Sequence, residues 1–384
     1  MPGSSATTPS LDTFPATTEE NLQRRRTNRG FTLVELMVSM AVTLIVLGTA
    51  LTVFKKSMDA ATTVTAKAEM QANARAAING IVRDLSQAGS GGMPWGGITG
   101  IPVASLFAHD TNGNDYLANN TYSQGVLYVV TPAWKSGPTT INPDPEDGVT
   151  LAYVDASLDW SAYSTTTINP AGDQVTMPPG TTPAVTDPAY GPKVGDLMLL
   201  RNVNGTAVGV VTAPPGGSTI QFSAGDPLQM NGGIAGLANP GSNPATYPAT
   251  TVNRLLMISY YIQPLNAQGN PLPFNAAGAT DFRLMRQVNA LPPVPVAEHV
   301  VSLKFSYDLS DPNTAIETSN VFDAKIPNPG GGNPPTIPAY NEIRNVYVSV
   351  VSRSARANPD GSFYYSTLFT NVSPRNLSFH DRYQ

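Results

Sequence analysis

From Phe31 to Phe54 the chain runs FTLVELMVSMAVTLIVLGTALTVF, an apolar stretch with one ionisable residue, Glu35, and no proline. A helix needs about 20 such residues to cross the hydrocarbon core of a bilayer, so the run is long enough to span. Arg24, Arg25, Arg26 and Arg29 precede it, and Lys55 and Lys56 follow it. The larger basic cluster predicts that the N-terminus stays in the cytoplasm while the remainder crosses. A secretory signal peptide has a shorter apolar region, about 7–15 residues, with its small-residue cut site after that region. Here the small residue, Gly30, lies before the apolar run, so a cut there keeps the helix as the new N-terminus.

The string RGFTLVELMVSMAVTLIVLG resembles the type IV prepilin signature, in which a basic leader ends in Gly, Phe follows, and Glu stands fifth after the cut. The resemblance implies a cut between Gly30 and Phe31 by a prepilin peptidase that also N-methylates Phe31. It further implies that Glu35 pairs with the freed Phe31 amine of a neighbouring subunit. Elementary physics is consistent with those roles. Glycine lacks a Cβ and lets a protease approach the backbone. A carboxylate inside an apolar helix costs up to about 2.5–3.5 kcal/mol at mid-bilayer and less near the end, so a cationic partner such as an α-amine is expected. Two plainer readings stay open. Thr32-Leu33-Val34-Glu35 fits a capping box, in which Glu35 closes the first helical turn and complements the helix dipole. The span also fits an anchor that is never cut.

No proline occurs between Pro15 and Pro94, and the helical period continues past Lys56, so one rod of about 55–60 residues, roughly 85 Å, is predicted. Met58, Ala61, Ala68, Ala72, Ile78, Val82 and Leu85 are expected on its inner face, with Lys67, Glu69, Asn73, Arg83 and Asp84 mostly elsewhere. Family members often carry a proline partway along the span; here there is only Gly48. The Gly89–Pro94 stretch stops the helix.

Beyond Pro94 the pattern is of short β-rich runs separated by Gly, Pro, Asn and Asp. Strands are expected at 125–130, 149–155, 195–202, 206–212, 218–222, 254–263, 281–288, 300–309, 346–353 and 361–369, with a tight hairpin at Asn204-Gly205. Residues 163–193, 231–250 and 325–339, rich in Pro and Gly, are expected as long surface loops. The succession GDLMLL, AVGVVT, STIQF, LMISYYIQ, FRLMRQ, VAEHVVSLKFSYD and the closing NVSPRNL is similar to the PilW-type minor pilins. Those are large, low-abundance subunits that help to initiate pilus assembly. The GspJ-type pseudopilins of type II secretion are similar through the L-x-R (284–286) and V-x-x-L-x-F-x-Y (300–307) stretch.

There is no cysteine, so disulfides, thiolate nucleophiles and Cys-based zinc sites are excluded. Charged residues make up only 13% of the chain and the net charge is -5, which argues against a surface built to neutralise phosphate. Arg353, Arg356, Tyr364, Tyr365 and Arg375 are the one basic-aromatic grouping, and strand composition explains them without nucleic acid. His109, His299 and His380 are widely separated, and no phosphate loop, dinucleotide fingerprint or HExxH helix is present. Asp110, Asn112 and Asn114 alternate as oxygen ligands in a calcium loop do, but the glycine at the sixth position and the acid at the twelfth are missing, so an Asx-rich turn competes with calcium.

The expectation is an α+β chain without enzymatic activity: a cleaved leader (1–30), a transmembrane segment (31–54), an amphipathic continuation (55–89) and an antiparallel β-rich head (94–384). As the resemblance implies, its partners are the peptidase/N-methyltransferase, other major and minor pilins, the inner-membrane assembly platform and the lipid bilayer. The head lies in the periplasm and then on the pilus. A pseudopilin and an adhesin-like head on a pilin stalk are the alternatives.

Overall fold

The computed structural model describes residues 30–94, 96–108, 125–141, 143–160, 167–238, 248–310, 317–322, 325–326, 337–338, 340–358 and 360–374. It is an α+β structure, with one long apolar N-terminal helix and several antiparallel sheets. The helix, Leu33–Gln87, is continuous for 55 residues and passes through Gly48 without interruption. The chain divides into two compact units, Met1–Ala61 and Thr62–Gln384.

Within the first unit the described residues are helical from Leu33 onward and their side chains are exposed. In the second unit the helix buries Met70, Ala74, Ala77, Ile78, Ile81, Asp84 and Leu85. This differs from the expected stripe. Ala61, Ala68 and Ala72 are exposed, and Asp84, expected outside, is 1% exposed. Ile78 and Leu85 are buried and Val82 packs against the core, as expected; the apolar misses fall on the earlier turns, Met58 to Ala72, where the helix has little to pack against. The buried stripe begins only at Met70 and steps by three or four residues thereafter.

The helix ends where glycines take over. Gly89, Gly91 and Gly92 all have positive φ, and the Gly89 amide donates to Ala152 O at 2.9 Å, tying the helix end to a strand. Gly91 is required twice over: its φ is +74°, and a Cβ there would lie 2.4 Å from Val154 Cβ.

A seven-stranded antiparallel sheet is the centre of the head. Thr251–Leu265 pairs along one edge with Gly148–Trp160, and along the other first with Leu197–Asn202 and then with Asp281–Val288. Val294–Glu298 and Val130–Ala133 close the two ends, and Gly205–Val210 hairpins onto Leu197–Asn202 through Val203-Asn204, one residue before the expected Asn204-Gly205 turn, with Gly205 already paired to Asn202. A four-stranded sheet follows in the order Glu317–Val321, Val300–Ser310, Ile343–Arg353, Tyr365–Val372. The helix stripe and the inner faces of both sheets share one core, which includes Ile81, Leu85, Tyr260, Leu303, Phe305 and Val348.

Two of the stretches expected as loops contain regular structure. Thr167–Ile168 and Gln174–Thr176 lie inside the 163–193 stretch and join Thr219–Gln221 and Ala213–Gly216 in a small sheet. The 3-10 helix Asn231–Ala238 begins the 231–250 stretch. Together they enclose a second core around Trp160, Ile168, Val175, Met198, Phe222 and Ile234. Strands of two or three residues carry too little periodicity to register beside so much Pro and Gly. Val294–Glu298 was also unexpected, because Pro295 argues against a strand; as an edge strand it tolerates the missing donor. Of 325–339, only 325–326 and 337–338 are described, and they pair with each other.

Glu146 and Asp147, buried side by side at the entry to Gly148–Trp160, join the two sheets. Glu146 Oε2 accepts from Ser302 Oγ (2.9 Å) and Leu303 N (2.8 Å), and Lys304 Nζ lies 3.5 Å away. Asp147 accepts from the amides of Lys135 (2.8 Å) and Phe305 (2.9 Å). Burial pushes Asp147 up from 3.8 to about 6 against the pull of those two amides, and burial raises Glu146 as well. Between those two pH values the folded chain therefore keeps a proton that the unfolded chain releases. This stabilisation is present in full at low pH and is lost as pH rises through about 6. Asp281, Asp308 and Asp360 are lowered instead, so their contribution has the opposite sign and is lost only at stronger acidity. The melting temperature of the detergent-solubilised chain is expected to fall from pH 5 to pH 7.5, and to fall less in Asp147→Asn. Equal slopes in the two proteins would contradict this account.

Candidate processing and assembly site

Gly30 is the first described residue, with nothing within 4 Å of the position a Cβ would take, and Phe31 beside it is 83% exposed. Among the described residues nothing crowds the junction between them. Residues 1–29 of the expected leader lie outside the described residues.

Thr32 caps the helix. Glu35 N donates to Thr32 Oγ1 at 3.2 Å, while Thr32 N (3.2 Å) and Thr32 Oγ1 (3.1 Å) both donate to Glu35 Oε2. This is the reciprocal capping box, so that reading of Thr32 and Glu35 is realised in the structure. It accounts for the start of the helix, but a capping Glu needs neither a basic leader nor an uncharged span behind it.

The remaining polar side chains of the span are satisfied within it. Ser39 Oγ donates to Leu36 O (2.9 Å), Thr43 Oγ1 to Ser39 O (2.7 Å), Thr49 Oγ1 to Val46 O (2.8 Å) and Thr52 Oγ1 to Gly48 O (2.8 Å). Each hydroxyl returns its proton to the helix's own backbone, which lowers its cost in an apolar medium. The helix is long and apolar enough to cross a membrane by length and composition, and its most apolar window, of mean hydropathy 2.3, buries none of its residues. Glu35 is left as the one group from Phe31 to Phe54 whose charge an apolar surrounding must accommodate.

A second polar grouping, missed in the sequence, fastens the later helix to the central sheet. Asp84 Oδ2 accepts from Tyr260 Oη and from Arg286 Nε, both at 2.6 Å, and Arg83 Nε stands 3.4 Å from Oδ1. Burial alone would lower Arg286; the hydrogen bond and charge of Asp84 outweigh it and raise the guanidinium. Tyr260 is raised first by burial and then by the bond it donates to Asp84. Gly80, one turn earlier, makes room: a Cβ there would lie 3.3 Å from Val296 Cγ1 and 3.5 Å from Tyr260 Oη. The signal was present in the sequence, since Asp84 falls three residues after Ile81 and seven after Ala77, in phase with the buried stripe.

Among the described residues the other candidates do not gather into a site. Asp110, Asn112 and Asn114, together with His109, His380 and Arg375, lie outside the described residues. Among the described residues no group of three or more His, Cys, Asp or Glu could hold a metal ion. His299 lies against Asp281, and Arg353 is held by the same carboxylate at 2.9 Å with Phe363 under its guanidinium. Tyr364 lies beneath the Lys67 ammonium. These basic and aromatic side chains are thus engaged within the fold.

Residues 25–51 match a family described as the prokaryotic N-terminal methylation motif. The match contains Gly30, Phe31 and Glu35, and it stops short of the β-rich residues. Neither the curated proteins nor the solved structures contain a match to the chain. The N-terminus is therefore prepilin-like, and motif and apolar helix together support a membrane-anchored, single-pass chain.

Proposed function

We propose that this chain is a minor, PilW-like subunit of a type IV pilus. The span holds the precursor in the inner membrane with the N-terminus in the cytoplasm and the head in the periplasm. Prepilin peptidase cuts between Gly30 and Phe31 and methylates the new amine. The mature helix then leaves the lipid and enters a bundle with other major and minor pilins, driven by the assembly platform. The observation that carries this reading is the methylation motif placed on an exposed apolar span, Phe31 to Phe54, whose single carboxylate, Glu35, lies one turn from the proposed cut.

An N-terminal mass spectrum of the membrane-derived chain tests it. The expected product begins at Phe31 and is heavier by one methyl group, while a Gly30→Val chain keeps its leader because the branched Cβ obstructs the protease. An intact leader on the unaltered chain, in a host with an active peptidase, would overturn the proposal. A pseudopilin of a secretion system shares this N-terminus. A deletion strain that keeps twitching but loses secretion assigns the chain to that machine instead.

A further inference from the structure

Most sheet edges in the head are guarded against pairing with another chain. Val294–Glu298 carries Pro295 and Glu298, Val130–Ala133 carries Pro132 and is buried, and Ala213–Gly216 carries Pro214 and Pro215. Thr167–Ile168 is two residues long, and Glu317–Val321 begins with an acid and pairs through a bulge. At Gly205–Val210 the Asn231 side chain closes the edge, accepting from Val210 N at 2.6 Å and donating to Val210 O at 3.0 Å. Proline, charge, shortness and covering are the usual devices by which edges avoid pairing.

Tyr365–Val372 has none of them. Its eight residues, YSTLFTNV, include no charge, no proline and no glycine, and they pair with Ile343–Arg353 in unbroken register from Arg353↔Tyr365 to Val346↔Val372. It ends its sheet, and among the described residues no strand adjoins its other side. Every second residue of such a strand turns its N–H and C=O outward. Phe369 is 67% exposed and stacks at 6.0 Å on Tyr347, and Tyr365 is exposed near the opposite end.

We infer that Tyr365–Val372 is a docking edge that takes an extended, uncharged strand from the head of a different pilin-like subunit. The inference rests on the filament reading above. A row of outward amides and carbonyls is satisfied along its length only by another extended backbone, and side chains without charge favour a strand without charge. The edge is also fixed to the helix: Ser352 Oγ donates to Met70 O at 2.8 Å, and Lys67 Nζ lies 4.7 Å from the centre of the Tyr364 ring.

The test uses the full chain in its host, with p-benzoylphenylalanine at position 369. The expected adduct maps by mass spectrometry to an uncharged extended segment of another chain with a prepilin-type N-terminus, and Thr367→Lys reduces it about fivefold or more. Without the probe, a Thr367→Lys/Phe369→Lys chain is expected to be cut at Phe31 and to melt as the unaltered chain does, yet to be recovered in filaments about fivefold less or lower. Recovery at the unaltered level overturns the inference, as does an adduct found solely within residues 375–384 of the same chain or on a second copy. Failure of the Phe31 cut sinks the filament reading, and the adduct's position still decides the edge.

Discussion

Glu35→Ala is expected to leave the chain in the membrane and cut at Phe31, and to lower its recovery in filaments by about tenfold or more. A carboxylate near the end of an apolar helix costs somewhat less than the roughly 2.5–3.5 kcal/mol of the bilayer centre, and in the proposed function a neighbour's amine in a water-poor bundle recovers that cost at assembly. Even about 1.4 kcal/mol of lost pairing is a factor of ten. The capping box offers a competing explanation, because alanine also removes the Glu35 side of the bonds with Thr32. Glu35→Gln separates the two. Glutamine serves at the N3 position of a capping box, so the helix start survives, but it brings no charge to a neighbour's amine. If filament recovery is quantified by immunoblot, the glutamine chain should fail about as badly as the alanine chain. Recovery of the glutamine chain at the unaltered level would leave Glu35 as a cap and remove the main support for assembly through this residue.

The N-terminus was legible in the sequence because its constraints are local. An uncharged span, a Gly-Phe junction and a Thr-to-Glu spacing of three need no tertiary contact to be recognised. Long strands were legible for a related reason. Asp281–Val288 and Val300–Ser310 alternate over enough residues to reveal period two, and the structure places them within a residue of the expected bounds. What stayed hidden depends on pairing at a distance. Ile168 and Val175 look like loop residues until Ile220 and Phe222 close over them, and nothing beside Glu146 announces that Ser302 and Leu303 bind it from another sheet. Asp84 shows a third kind of concealment. Its phase on the helix was readable, but a charge in an apolar stripe is taken as an outward residue until its partners, here Tyr260 and Arg286, are known.

Those partners make Asp84 the position where a small change is expected to cost the head most. Its side chain is 2% exposed and bonded to two groups on neighbouring strands, whereas the Arg286 side chain is 20% exposed. Asp84→Ala leaves a guanidinium largely removed from water without its counter-charge, and breaking one side of a buried pair costs about 3–5 kcal/mol. Because Arg286 retains some access to solvent, the lower end of that range applies. Tyr260→Phe removes one bond and leaves the pair, so about 1–1.5 kcal/mol is expected. Asp84→Leu combined with Arg286→Met removes both charges and should recover much of the loss, since apolar replacements of a buried pair are often neutral. Thermal melts of the three variants as full chains in detergent should rank Tyr260→Phe and the double replacement well above Asp84→Ala. If Asp84→Ala melted with the unaltered chain, the pair would not hold the helix to the sheet, and the attachment would rest on the apolar stripe from Met70 to Leu85 and on contacts such as Ser352 Oγ to Met70 O.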